Sequence, residues 1–216
     1  MNLRVKNGGE VVLTLPRRCC EKEGLAFLKT NSRWLERKLA EPKPNVSLDK
    51  HFRRAGKVTV DDETRVVRVI PDAPPGRISW SLETAGELHL RVDPNAPSDL
   101  QLADLLRGLA KDWLPPRVSD FAVQAGEEVT RIRVGDQKSR WGSCSGKGTI
   151  SLNWRLLLLS PSLRDYVIRH ELAHLRYMNH SPEFWAYLEE LHPDARLFDR
   201  ELNKVGKNLM ALGRNR

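Results

Sequence analysis

The chain has 216 residues, 40% hydrophobic and 30% charged, the balance of a soluble globular protein that buries a core without staples. No apolar run approaches the roughly 18 residues that span a bilayer, and the start, MNLRVKNGGE, has no apolar h-region, so neither a membrane span nor a secretory signal is expected. Three cysteines, two of them the neighbours Cys19 and Cys20, exclude a disulfide framework and suit a reducing, cytoplasmic location. The net charge of +8 is unevenly placed: residues 1–57 hold 14 Lys/Arg against 6 Asp/Glu, and the remainder holds 22 of each sign. A basic segment of this kind suits contact with nucleic acid, a nucleotide or an acidic partner, and equally a solvated face.

In chain order, Leu3–Val5 and Glu10–Leu15 read as strands around the turn Asn7-Gly8-Gly9. Glu21–Leu39 reads as one helix with Leu25, Leu28, Leu35 and Leu39 on a stripe, ended by Pro42-Lys43-Pro44, where a linker begins. Within 57–93, the segments VTV, TRVVRVI and ELHLRV read as antiparallel strands separated by Asp61-Asp62, Pro74-Pro75-Gly76 and Gly86. Asp99–Trp113 is an amphipathic helix that Pro115-Pro116 is expected to break, with a second helical piece reaching Ala125. Val129–Val134 and Thr149–Trp154 read as strands flanking a polar loop, Gly135–Gly148. Ser160-Pro161 and Ser181-Pro182 are serine caps followed by proline at the first helical position, so each opens a helix, and Pro193 precedes a last one.

The chemistry sits on the helix opened by Pro161. His170-Glu171-Leu172-Ala173-His174 fits the H-E-x-x-H pattern. Residues four apart lie on one helix face, so both imidazoles reach one ion, while Glu171, offset by about 100°, stands beside it. A carboxylate there activates a metal-bound water and later protonates a leaving group. His180 follows six positions after His174 and on an unbroken helix would be rotated by about 240°, away from the ion. Asn179, which tolerates the left-handed conformation, and Ser181-Pro182 mark a chain reversal that brings it back. Three histidines and an open position are the geometry of catalytic zinc, and no carboxylate replaces a histidine as iron sites require, so one zinc ion per chain is expected. Glu189, Glu190 and His192 stand as other candidates for the third ligand.

Beside the ligands, Arg140 suits an oxyanion or phosphate contact, or a structural ion pair. Trp141 and Trp185 suit a substrate pocket or the core. Asn153 suits orienting substrate or water, or satisfying backbone groups. Asp165 is a candidate outer partner for a ligand's second ring nitrogen. Tyr177 is a candidate for transition-state contact, and Cys144, as a nucleophile, is disfavoured once the histidines are assigned to a metal.

With these residues in hand, the chain resembles the YgjP-like metallopeptidase family, related to SprT-like zinc proteases within the zincin group. The resemblance is carried by Lys138-Ser139-Arg140-Trp141-Gly142-Ser143-Cys144, Ile150-Ser151-Leu152-Asn153-Trp154, Asp165-Tyr166-Val167, His170-Glu171-Leu172-Ala173-His174, Asn179-His180-Ser181 and Phe184-Trp185. The spacing of His170, His174 and His180 also matches metzincins, but Tyr177 occupies their glycine position and Met210 falls in a helix rather than a Met-turn. The resemblance implies an α+β fold: a zincin-like catalytic core over 96–216, with a small, mostly antiparallel sheet on the HExxH helix. A β-rich region with one helix, 1–95, precedes it. It also implies a peptide or protein substrate; Thr149–Asn153 suits the edge strand to which a peptide adds, and equally an ordinary core strand. Two rival functions remain at this point. One is a metal-dependent nucleotide phosphohydrolase using Lys138 and Arg140; the other is a non-enzymatic, zinc-containing module that binds nucleic acid or protein.

Overall fold

The computed structural model describes residues 1–5, 9–40, 47–84 and 86–214. It forms two compact units, Met1–Pro44 and Asn45–Arg216. The four-stranded sheet described below shares the second unit with the HExxH helix.

In the first unit, β1 (Asn2–Val5) and β2 (Val11–Thr14) pair antiparallel, Asn2 opposite Thr14. The expected turn at Asn7-Gly8 and the linker residues Pro42-Lys43-Pro44 lie outside the described residues. The single helix expected over 21–39 is two, α1 (Glu21–Thr30) and α2 (Ser32–Ala40). Asn31 makes the break: its side-chain amide donates to the Phe27 carbonyl, an interaction that competes with helix continuation. Phe27, Leu28, Trp34 and Leu35 are half-buried, while Leu25 and Leu39, placed on the same stripe by the unbroken reading, are exposed.

The second unit opens with α3 (Leu48–Ala55), which the sequence reading did not contain; Leu48 and Phe52 drop into the core and Ser47 caps the helix at the Lys50 amide. A four-stranded sheet follows, β3 (Lys57–Val60), β4 (Glu63–Ile70), β5 (Ser79–Glu83) and β6 (Glu87–Arg91), in the order β3-β4-β6-β5. Asp61 and Asp62, both at positive φ, form the two-residue turn that twisted antiparallel strands favour. The strands here are not all antiparallel: β4 and β6 run parallel, because the unforeseen strand β5 inserts between them in sequence and pairs at the far edge.

Helix α4 (Ser98–Ala125) passes through Pro115 and Pro116 without ending, contrary to the expected break. An interior proline costs about 3 kcal/mol or more, but the buried stripe Leu102, Leu106, Leu109, Leu114, Val118, Phe121 continues across the pair and holds the helix together. Ser119 Oγ also donates to the Pro115 carbonyl, whose neighbouring ladder the prolines interrupt.

The second sheet has three strands, β7 (Arg131–Gly135), β8 (Gly142–Cys144) and β9 (Thr149–Asn153), in the order β7-β9-β8. β9 is central, parallel to β7 and antiparallel to β8. Both its edges are occupied, so a peptide has no place to add to Thr149–Asn153; the edge strands of this sheet are β7 and β8, the latter within the stretch Gly135–Gly148 expected as a loop. After a 3-10 turn, Trp154–Leu158, come α5 (Pro161–Arg176), α6 (Pro182–Leu191) and α7 (Ala195–Ala211). α5 lies on β8 and β9, with α6 and α7 packed on it, and Ile150, Leu152, Leu172 and Phe184 are wholly buried in this layer. The fold is mixed α+β, as expected. No helix among the described residues is long and apolar enough to cross a membrane.

Candidate metal centre

Helix α5 starts where the sequence indicated, with Ser160 Oγ accepting from the Leu163 amide and Pro161 in the first turn. It ends at Arg176, and Ser181 Oγ accepts from the Phe184 amide to start α6. The reversal between them uses no left-handed residue; Asn179 has a negative φ, unlike the expectation. It nonetheless returns His180 to α5, its Nε2 3.1 Å from His170 Nε2. Ring centroids are 5.0 Å apart for His170–His174 and His170–His180 and 4.8 Å for His174–His180, a nearly equilateral triangle. Phe184, fully buried, lies at 5.1, 4.6 and 4.7 Å from the three rings and forms their common floor.

Hydrogen bonds fix two of the ring tautomers. His174 Nδ1 is 2.9 Å from the Tyr177 carbonyl, which only accepts, so Nδ1 carries the proton. Tyr166 Oη donates to Asp199 Oδ1 at 3.2 Å and therefore accepts from His170 Nδ1–H at 3.3 Å. Both Nε2 atoms are left with lone pairs. Burial, reinforced by His174 and His180, pulls His170 down to about 3, so it is neutral at any physiological pH. His174 is lowered by burial as well.

Neutral imidazoles with converging lone pairs fit a metal ion and little else. Ring nitrogens sharing a tetrahedral ion at about 2.1 Å lie about 3.4 Å apart, close to the His170–His180 separation. Among the described residues these three histidines are the group of ligand atoms within 4.8 Å of one another. The other candidates point elsewhere. Glu189 accepts from the Ala195 and Arg196 amides at the start of α7. His192 is buried against Arg169, and Glu190 lines a cavity with Phe121 and Arg169 on another side of α5.

Glu171 faces β8. It is 6% exposed and has no hydrogen-bond partner among the described residues. Burial raises its carboxyl to about 8, and Arg140 acts in the opposite direction. A cation at the histidines would reinforce Arg140, since opposite charge favours the ionised form. Arg140 itself is exposed and forms no ion pair with a carboxylate among the described residues. The strand and loop that carry it are fastened from below. Asn153, wholly buried, donates from Nδ2 to the carbonyls of Gln137 and Arg140. Arg155, also wholly buried, reaches Asp136 Oδ1 at 2.5 Å and the Leu212 carbonyl at 2.8 Å.

The profile of the YgjP-like metallopeptidase domain matches residues 1–205. The chain belongs to the YgjP-like metallopeptidase family. It is therefore a metallopeptidase, a hydrolase of peptides or proteins that works with a metal ion. Among solved structures, this YgjP-like chain is similar to the metallopeptidase zymogen abylysin of Pyrococcus abyssi, at 28% identity and a TM-score of 0.38 over 45% of this chain and 95% of that one. It is also similar to the zymogen jannalysin of Methanocaldococcus jannaschii, at 25% identity and a TM-score of 0.37, with the same coverage. No curated protein matches it.

Several sequence candidates occupy other places in the YgjP-like chain. Asn153 is sealed from solvent, and its amide is spent on the loop, so it does not meet substrate directly. Trp141 packs on α7, where a side chain on Gly206 would meet its ring nitrogen at 3.1 Å. Asp165 is held by Arg117 at 2.6 Å and Arg164 at 3.0 Å, not by a histidine; the ring partners are the Tyr166 hydroxyl at His170 and the Tyr177 carbonyl at His174. Tyr177 stacks edge-on against Tyr187. Cys144 is raised by burial to about 11, with Glu171 adding to the effect, so its thiol stays protonated. Trp185 lies under the Arg196 guanidinium, 6.2 Å from His180. Tyr166 and Phe184 stood in the family motifs without an assigned role, one turn before His170 and three residues after Ser181; Asp199, far along the chain, gave no signal.

Proposed function

We propose that the chain is a zinc-dependent metallopeptidase in which Nε2 of His170, His174 and His180 holds the ion and Glu171 is the general base and acid. The observation that carries this reading is the convergence of three imidazoles beside a buried carboxylate with no hydrogen-bond partner among the described residues. Zinc is favoured over iron because the donors are all imidazoles. When bound, zinc supplies Lewis acidity, polarising the scissile carbonyl and making water acidic enough to ionise near pH 7.

The chain's own residues do the rest. The Tyr177 carbonyl and the Tyr166 hydroxyl hold the Nδ1 protons of His174 and His170, which keeps both Nε2 atoms available as donors. A Glu171 carboxylate oxygen takes the proton of the attacking water and delivers it to the leaving nitrogen as the C–N bond breaks. Burial keeps that carboxylate basic, and Arg140 keeps its ionised form accessible. The substrate adds to the free edge of β8. Asn153 N bonds the Trp141 carbonyl and Ser145 N the Thr149 carbonyl, so by antiparallel alternation Gly142 and Cys144 turn their main-chain groups outward.

Glu171→Gln keeps the side chain's size and removes the base. It is expected to retain zinc and to lose about 10²–10⁴-fold in hydrolysis of fluorescein-labelled casein. Full activity in zinc-loaded Glu171→Gln would sink the reading.

A further inference from the structure

Gly142 sits on β8 directly across from Leu152, on the sheet face that meets α5. Its backbone is outside the left-handed region, so conformation does not demand a glycine. Space does. A Cβ at this position would lie 2.6 Å from both Cγ and Oε1 of Glu171 and 2.8 Å from its Cδ, where carbon atoms in van der Waals contact stand about 3.5–4.0 Å apart. Gly146, two residues beyond the end of the same strand, has nothing within 4 Å of such an atom. The three atoms nearest to such a Cβ at 142 all belong to the Glu171 side chain.

We propose that Gly142 is a positioning residue for Glu171: the missing side chain is the niche that fixes where the carboxylate lies. This rests on the role given to Glu171 above. The carboxylate has no hydrogen bond to orient it among the described residues, so its place is set by walls. One wall is α5, on which it is carried, and the other is the bare backbone of β8 at Gly142. A methyl group there meets the Glu171 side chain from Cγ to Oε1, so that side chain must turn to make room. The fold and the three histidines stay, and the carboxylate turns away. A displacement of about 1 Å at a reacting group costs about 10²-fold in rate.

The test is a cycle of Gly142→Ala, Glu171→Gln and the double variant, read by kcat and KM on one quenched-fluorescence peptide, by zinc content and by melting temperature. Gly142→Ala is expected to keep its zinc and its KM and to lose about 10²-fold in kcat. Added to Glu171→Gln, it is expected to cost nothing further, because both act through one carboxylate. A second arm needs no substrate. If Gly142→Ala lowers the melting temperature, Glu171→Ala, which removes Cγ, Cδ and both oxygens, must relieve it, so that the double variant melts with Glu171→Ala alone. Unchanged kcat in Gly142→Ala, an equal loss in both backgrounds, or a melting temperature that Glu171→Ala does not relieve each overturns the proposal and leaves the role of Glu171 standing. Full activity in Glu171→Gln alone overturns that role, and this proposal with it.

Discussion

Helix α5 carries two carboxylates, six residues apart, in opposite circumstances. Asp165 is gripped by Arg117 and Arg164, which Asp62 also bridges from the turn between β3 and β4. Every charge in that cluster has a partner, and its chemistry ends there. Glu171 is buried more deeply, yet it has no hydrogen bond among the described residues, and the cation that acts on it, Arg140, is exposed. Burying an acidic group without a hydrogen-bond partner costs stability, and the proposed function gives this one, beside three converging imidazoles, its reason for being there.

The two faces of α5 separate under substitution. On the metal face the largest effect is expected from His174→Ala: zinc per chain falls towards zero and turnover goes with it. Phe184→Ala removes the floor beneath all three rings. It is expected to cost about 3–5 kcal/mol of stability on denaturant unfolding, as large aromatic truncations in a core do, and to weaken zinc binding in competition with a chelator. Tyr166→Phe leaves the ring packing and deletes the hydroxyl between His170 and Asp199; zinc affinity should fall about 10–100-fold, with little change in kcat once the ion is loaded. On the other face, Asp165→Asn keeps one acceptor and loses the charge. A loss of about 1–2 kcal/mol is expected, with turnover per zinc-loaded molecule unchanged. A large fall in kcat for Asp165→Asn would erase the distinction between the faces.

The metal face was legible in the chain because its signals are local. Spacing put His170 and His174 on one face of α5, and the Ser181-Pro182 cap announced the reversal that returns His180. What escaped the sequence was set by distant partners. β8 is three residues of a Gly-rich stretch, with no alternation to read, and it exists because β9 pairs with it. β5 likewise earns its place at the sheet edge through β6. Pro115 and Pro116 argue locally for a break that the buried stripe of α4 overrides. Asp199 joins the site across 33 residues through a tyrosine hydroxyl, and of the two roles open to Asn153 its buried amide takes the backbone one, at the carbonyls of Gln137 and Arg140.

The central claim is that these three imidazoles hold one zinc ion. Elemental mass spectrometry on tag-free protein, purified without added metal and again after chelation and zinc readdition, tests it most directly. About one zinc per chain, removed by the chelator together with activity and restored with it, is the predicted result. Protein that carries no metal and takes up none on zinc addition would contradict the account.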